Sequence, residues 1–259
     1  MTEIDKVFSR KAFIPFITVG DPDMETSEKL VRAMADNGAD LIELGLAFAD
    51  PVAEGPVIQE ADNRALAAGT NTDKLFDMAG RVHADTSVPL AIMTYINPVF
   101  VYGPEKFMKK CKESGICALI VPDMPYEEKG DLQDYCTQYG VKLVSMVAPT
   151  SKSRVSKIAS EAEGYIYVVS SMGVTGVRSG NEFSSNLNEI IDTIRSVTDV
   201  PCAIGFGIST PEQAKQMGSL ADGIIIGSAI VRIVAEHGRD SVPYVTEFMK
   251  SVREALDSL

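Results

Sequence analysis

Histidine is scarce in this chain, cysteine is unpatterned, and no apolar run is long. Only His83 and His237 are present among 259 residues, and each falls in a helical, partly polar stretch. Solvent-facing or capping roles suit them, and a His-based triad or a His-rich metal site is excluded as the leading idea. The four cysteines, Cys111, Cys117, Cys136 and Cys202, form no CxxC pair. Neither a zinc site nor a redox motif is suggested, and buried or half-buried free thiols in a reducing cytosol are expected. No stretch approaches the roughly 20 apolar residues of a membrane span. The opening MTEIDKVFSRKAF has no signal-peptide apolar core, so a soluble, cytoplasmic protein is expected. Basic residues are outnumbered, 24 against 36 acidic ones, for a net charge of −12. No Lys/Arg stripe interleaves with aromatics, which argues against nucleic acid as a partner. A phosphate bound here must rely largely on backbone N–H groups and helix ends.

What is present is a regular alternation. Short apolar runs occur at 12–20, 41–46, 88–95, 118–123, 142–148, 164–171, 201–207 and 222–228. Continuous apolarity suits parallel strands covered on both sides. Between them lie helical stretches. SEKLVRAMADNG carries Leu30, Val31 and Met34 on one face and stops at Gly38. EKFMKKCKESG stops at Gly115 and YEEKGDLQDYCTQYG at Gly140. Thr210-Pro211-Glu212-Gln213 reads as a capping box with Pro at the first helical position. The last helix shows Val245, Phe248, Val252 and Leu256 at helical spacing. Eight strand–helix units of roughly 32 residues each predict a (β/α)8 (TIM) barrel. Extra helices are expected before strand 1 (2–9) and after strand 2 (55–69 and 72–84). A doubly wound open sheet is the alternative, though such sheets usually have fewer strands. No linker divides the chain, so residues 1–259 are read as one domain.

One acid interrupts the second run, LIELGL. With period two, Leu41, Glu43 and Gly45 share one side, and Ile42, Leu44 and Leu46 the other. The wholly apolar side packs on helices, so Glu43 is predicted to point into the barrel near its C-terminal end, where barrel enzymes hold their sites. A carboxyl there is shifted toward its protonated form, which suits a group that gives and takes protons. Pairing with a buried Lys or Arg is the bland alternative, but no strand interior supplies one. Glu54 follows in a loop with Pro51, Gly55 and Pro56.

Gly-containing loops follow strands 6, 7 and 8: Gly173-Val174-Thr175-Gly176, Gly205-Phe206-Gly207 and Gly227-Ser228. Together they suggest phosphate binding at the strand 7–8 end, where Gly227-Ser228 opens a helix. Singly, each is a plain turn. The long polar stretch 171–185 reads either as a lid or as a connector. Phe16, Met93, Tyr95, Ile120 and Tyr167 offer an apolar and aromatic lining for the mouth, with core packing as the plainer role of any one of them.

Several stretches, in order, resemble a known family. FIPFITVGDPD, LIELGLAFADPVAEGPVIQ, MTYINPVFVYG, LIVPDMP, GVTG, GFGIST and GSAIV are similar to the motifs of tryptophan synthase alpha chains, over essentially the whole length. The resemblance implies a cofactor-free retro-aldol lyase that cleaves indole-3-glycerol phosphate to indole and glyceraldehyde 3-phosphate. It implies a pyridoxal-phosphate-bearing beta chain as partner, in an α2β2 assembly that passes the indole through a tunnel. By the same likeness Glu43 is the proton-moving acid, and Glu54 is the second acid beside the indole N–H. Gly176, Gly207, Gly227 and Ser228 fall at phosphate positions. Phe16, Met93, Tyr95, Ile120 and Tyr167 line the indole pocket, and Thr175 lies on the closing loop. The chain departs from the family pattern at Glu54, Ala47 and Ala49, where Asp, Pro and Ser are usual. Two other roles stay open: a weakly active subunit that mainly activates the beta chain, and a stand-alone lyase.

Overall fold

The computed structural model describes residues 3–149, 154–169, 180–205 and 207–259. Its strands are β1 (Ala12–Thr18), β2 (Ile42–Gly45), β3 (Leu90–Met93), β4 (Ile116–Ile120), β5 (Lys142–Leu143), β6 (Ser145–Val147), β7 (Ile166–Val169), β8 (Cys202–Gly205) and β9 (Gly223–Ile226). The helices are α1 (Glu3–Val7), α2 (Met24–Asp36), α3 (Pro56–Ala67), α4 (Thr72–Asp85), α5 (Ile96–Tyr102), α6 (Pro104–Glu113), α7 (Gly130–Tyr139), α8 (Val155–Ser160), α9 (Gly180–Arg195), α10 (Pro211–Leu220), α11 (Ser228–His237) and α12 (Val242–Asp257).

All the pairings are parallel, in the order β5-β4-β3-β2-β1-β9-β8-β7-β6. The two ends of that order are halves of one expected strand, 142–148, interrupted at Val144. β5 pairs with β4 and β6 with β7, so this one stretch joins both edges and the sheet closes on itself. The open-sheet alternative is thereby excluded. The other seven expected strands are each present; β4 begins two residues earlier than the expected 118 and ends at Ile120, and the rest are shorter than expected among the described residues.

The period-two reading of β2 holds. Ile42, Leu44 and Leu46 pack into the large layer between sheet and helices, with Leu30, Val31 and Met34 of α2. Leu41 instead joins the barrel interior, with Ile14, Ala91, Ala118, Ile120, Tyr165 and Ile225. The expected N-terminal helix is α1, which sets Ile4 and Val7 into that same interior cluster. The apolar side chains of α1 thus exclude water from one end of the barrel.

Local signals explain the helix ends, with four adjustments. Asp23 caps α2 by accepting from the Thr26 N–H at 2.8 Å, so this helix starts earlier than SEKLV suggests. Gly140 adopts the left-handed conformation, φ +75°, after α7. The stretch before α7 is not one continuous helix: Tyr126–Glu128 form a separate 3-10 turn. At α10 the Thr210 hydroxyl accepts from the Gln213 N–H. Gln213 reaches past it to the N–H of Ser209 at 2.8 Å, so only half of the expected capping box forms. Of the polar stretch 171–185, residues 180–185 belong to α9 rather than to a loop; the rest lies outside the described residues.

All four cysteines are free thiols, and Cys111, Cys136 and Cys202 are buried. His83 is exposed and lies over Gly115, while His237 ends α11 and stacks on Tyr244 with ring centroids 3.5 Å apart. No described group of His, Cys, Asp and Glu could hold a metal ion, and no described helix is long and apolar enough to cross a membrane.

Candidate active site

The upper barrel interior is built from strand register. Phe16 of β1 lies beside Glu43 of β2, Glu43 beside Ala91 of β3, and Gly45 beside Met93. Met93 in turn faces Ile120 of β4. Two glycines make this arrangement possible. A Cβ on Gly45 would sit 2.5 Å from the Phe16 ring, and one on Gly205 would sit 2.4 Å from the Tyr167 hydroxyl. Backbone without side chain therefore gives the aromatic rings room to lie inside the barrel.

Glu43 is completely buried. Its Oε1 accepts a 2.7 Å hydrogen bond from the Tyr165 hydroxyl, and its Oε2 has no partner. Burial pushes its pKa up to about 8, against the smaller downward pull of the Tyr165 hydroxyl. The charged form is costly without a cation, and none faces Glu43 among the described residues, so burial favours its neutral form. Tyr165 escaped the sequence reading as a site residue. Its signal was there, since in GYIYVV Tyr165 and Tyr167 alternate and share the inner face.

Glu54 sits half-buried in the loop between β2 and α3, and its pKa is raised by burial. Two neighbours meet it. One is Tyr95, at the start of α5, whose hydroxyl also accepts from the Ala53 N–H at 3.0 Å. The other is Asp62 of α3, a buried carboxyl close enough to perturb it, while Glu54 Oε2 has no hydrogen-bond partner among the described residues. Asp62 was also missed. Glu54, Ile58 and Asp62 recur at helical spacing, which brings Asp62 onto the face that Ile58 buries.

The elements that carry the two acids meet through Phe16 and Met93. Phe16 and Met93 pack with Ile58 and Ala61 of α3, and Met93 also packs with the interior cluster around Tyr165 and Tyr167. Of the expected pocket residues, Phe16, Met93, Ile120 and Tyr167 all face this interior. Tyr95 departs from that set: it is buried under the β2 loop, its ring 5.3 Å from that of Phe48. There it supports the loop rather than lining the interior cluster.

Two of the predicted phosphate loops follow β8 and β9. Gly207 is exposed with φ +77°, and a Cβ there would meet nothing within 4 Å. Gly227 caps the N-terminus of α11, and exposed Ser228 is its first residue. A Cβ on Gly227 would approach the Phe16 ring to 3.1 Å, so this glycine also serves packing. Gly176 and Thr175 lie outside the described residues.

Comparison with known proteins agrees with this architecture. The family model described as tryptophan synthase alpha chain matches residues 4–258. The tryptophan synthase alpha chain of Lacticaseibacillus casei is 46% identical, covering 100% of this chain and 97% of that one. That of Bacillus subtilis (strain 168) is 45% identical over 91% of this chain and 88% of the other. Among solved structures, tryptophan synthase subunit alpha from Campylobacter jejuni superposes with a TM-score of 0.87 at 34% identity, covering 97% and 99% of the two chains. A Mycobacterium tuberculosis tryptophan synthase chain gives 0.88 at 28% identity, covering 98% and 96%. By sequence and by structure, over nearly its full length, this chain belongs to the tryptophan synthase alpha chain family.

Proposed function

We propose that this chain cleaves indole-3-glycerol phosphate into indole and glyceraldehyde 3-phosphate, with Glu43 as the proton-moving group and Glu54 as the second acid. Family membership supports the reaction, a carbon–carbon lyase step in tryptophan biosynthesis. The observation that carries the residue assignment is the wholly buried Glu43 carboxyl with one oxygen unpartnered.

The chemistry follows from that state. Neutral Glu43 gives its proton to indole C3, which moves the ring's electron pair and leaves a cationic iminium at C2–N1. The resulting carboxylate then takes the proton of the hydroxyl on the carbon attached to C3. That oxygen's electrons form the aldehyde carbonyl as the C3–C bond breaks, and the bond pair returns to the iminium to restore indole. Protons and electrons balance, Glu43 ends as it began, and the iminium is the electron sink, so no cofactor is required. Glu54, near the ring N–H, offsets the developing positive charge. Tyr165 holds Glu43 by its other oxygen throughout.

Substrate placement rests on Phe16, Met93, Ile120 and Tyr167 for the indole, with Tyr95 behind the loop. Phosphate is assigned to the N–H groups of Gly207, Gly227 and Ser228, and to Gly176, with the α11 N-terminus contributing its partial positive charge. Thr175 keeps its assignment to the closing loop. The partner is a pyridoxal-phosphate beta chain. Its docking face is supported by Val52, Phe100 and Val101, which are 79%, 47% and 80% exposed on the β2 loop and α5 beside the mouth.

The test is cleavage of indole-3-glycerol phosphate by the purified chain and by Glu43→Gln, with and without a beta chain. Glu43→Gln fills the same space but cannot exchange protons. Its rate should fall by about 10²-fold or more, and retention of over about a tenth of the rate overturns the assignment.

A further inference from the structure

Phe8 follows α1 in a turn before β1, at the N-terminal end of the barrel, and the reaction written above does not use it. Its ring centroid lies 5.8 Å from that of Tyr165, with the two planes at 43°, a direct contact between rings. Tyr165 is fully buried and donates the 2.7 Å hydrogen bond to Glu43. Phe8 packs against the interior cluster that Tyr165 shares with Ile4 and Val7 of α1. A Cβ on Gly223 would stand 3.2 Å from the Phe8 ring, so the first residue of β9 leaves its backbone bare where that ring lies.

Phe8 also borders water. It lines a cavity of about 570 Å³ together with Gly164, Arg195, Asp199, Pro201 and Asp222. Arg195 and Asp199 are exposed, and Arg195 pairs with Asp222 at 3.6 Å, so the cavity is polar and wet on that side. From solvent inward the order is cavity, Phe8 ring, Tyr165, Glu43. The charges of this end of the barrel stay outside the ring. Lys142 of β5, beside Gly164, is paired with Glu163 at 2.9 Å. Inside, Glu43 faces Tyr165 and Tyr167 from the β7 stretch, and Cys117 of β4 lies near Tyr165. The register neighbours of Glu43 on β1 and β3 are Phe16 and Ala91, which do not titrate. With no interior charge to set its state among the described residues, Glu43 depends on the exclusion of water.

We propose that Phe8 is a positioning residue for the cleavage reaction: its ring seals the N-terminal end of the barrel under Tyr165, which keeps the Tyr165–Glu43 pair dry and Glu43 fixed in place. This rests on Glu43 being the proton-moving acid. Without the ring, water from the cavity reaches the tyrosine, competes for its hydroxyl and solvates the Glu43 carboxylate. Phe8 thus acts through Tyr165, at the opposite end of the barrel from the phosphate loops.

The test uses the full chain and two readouts. The first is the pH dependence of kcat/KM for indole-3-glycerol phosphate in the parent, Phe8→Ala, Phe8→Leu and Leu256→Ala. Phe8→Ala admits water, which favours the carboxylate, so the alkaline limb should move down by about one pH unit. Its kcat should fall a few-fold with KM little changed, because Phe8 is placed away from the substrate. Phe8→Leu refills most of the space and should bring the limb back close to the parent's. Leu256→Ala empties space in the outer layer between sheet and helices, and should leave the limb where it is. An unmoved limb in Phe8→Ala, or an equal shift in Leu256→Ala, overturns the proposal. The second readout needs no activity: the infrared band of the protonated Glu43 carboxyl, identified by its loss in Glu43→Gln. That band should titrate at lower pH in Phe8→Ala than in the parent, and near the parent's pH in Phe8→Leu. Phe8→Val, a milder truncation, carries the same expectation if Phe8→Ala does not fold, and an unmoved band in the folded variant overturns the seal. If the parent does not cleave the substrate at all, the proposed reaction fails, while the infrared band still decides whether Phe8 keeps the pair dry.

Discussion

Glu43 and Glu54 are both acids whose pKa is raised by burial, and the molecule holds them by different means. Glu43 stands on a strand, in a barrel interior with no charged neighbour among the described residues, held by one tyrosine hydroxyl. Glu54 stands on a loop, half-buried, and its surroundings are set by a second carboxyl and a tyrosine from two other elements. A strand fixes its side chains by register with both neighbours, so a group that must stay neutral and move protons gains from that position. A loop can be held only by what packs against it. Burial raises the pKa of both acids; one tyrosine hydroxyl pulls Glu43 back, and a carboxyl and a tyrosine from two other elements pull Glu54 back.

The largest break in this comparison is the loss of Glu43. As stated above, Glu43→Gln should cost about 10²-fold or more in cleavage, whereas Glu54→Gln keeps the proton shuttle and should cost less. Equal losses would erase the distinction between proton transfer and charge stabilisation.

Stability against pH sharpens it further. The pKa of Glu43 moves from about 4.5 when unfolded to about 8 when folded. Between those values the folded chain binds a proton that the unfolded chain has released. The stability this group contributes is complete below pH 4.5 and is lost as pH rises through about 8. The slope is about 1.4 kcal/mol per pH unit for one proton. Asp62 follows the same sign, from 3.8 to about 8. Urea midpoints of the parent should therefore fall from pH 5 to pH 8.5, and Glu43→Gln and Asp62→Asn should each flatten that fall. Parallel curves for parent and variants would show that neither acid is neutral in the folded state.

A smaller effect is expected at the mouth. Gly207 has a left-handed φ of +77°, so Gly207→Val strains that turn and places a branched side chain over the proposed phosphate site. Substrate KM should rise about tenfold with the thermal midpoint little changed. An unchanged KM would move the phosphate elsewhere.

The smallest effects belong to removing one support from each acid. Tyr165→Phe deletes the hydroxyl that pulls the Glu43 pKa down, so the alkaline limb of cleavage should move to higher pH, with a loss of rate of a few-fold. In the β2 loop, Ala47→Pro should stiffen the chain and Glu54→Asp should shorten the second acid's arm. Steady-state cleavage without a partner should rise in Ala47→Pro, alone or combined with Glu54→Asp. If no variant of that set is faster, the loop does not limit the rate.

Local pattern carried much of this in the sequence. Period-two alternation placed Leu41 and Glu43 on the inner face of β2 and Ile42, Leu44 and Leu46 on the outer, and the structure packs them so. Glycine stops after α2, α6 and α7 each fall at a positive φ, where a side chain would be strained. These features depend on neighbours a few residues away, which the sequence displays directly. The motif order was enough to suggest the family.

Only the closed barrel decided who meets whom. Tyr165 reaches Glu43 across 122 residues of chain, from just before β7, which is not a neighbour of β2 in the sheet. The contact spans the interior, and exists because residues 142–147 split between two partners and join the sheet's edges. Asp62 meets Glu54 because α3 packs its Ile58–Ala61 face against Phe16 and Met93. Periodicity tells which face a side chain takes; what stands opposite that face is set by closure and packing between distant segments, and it is there that the charge of each acid is fixed.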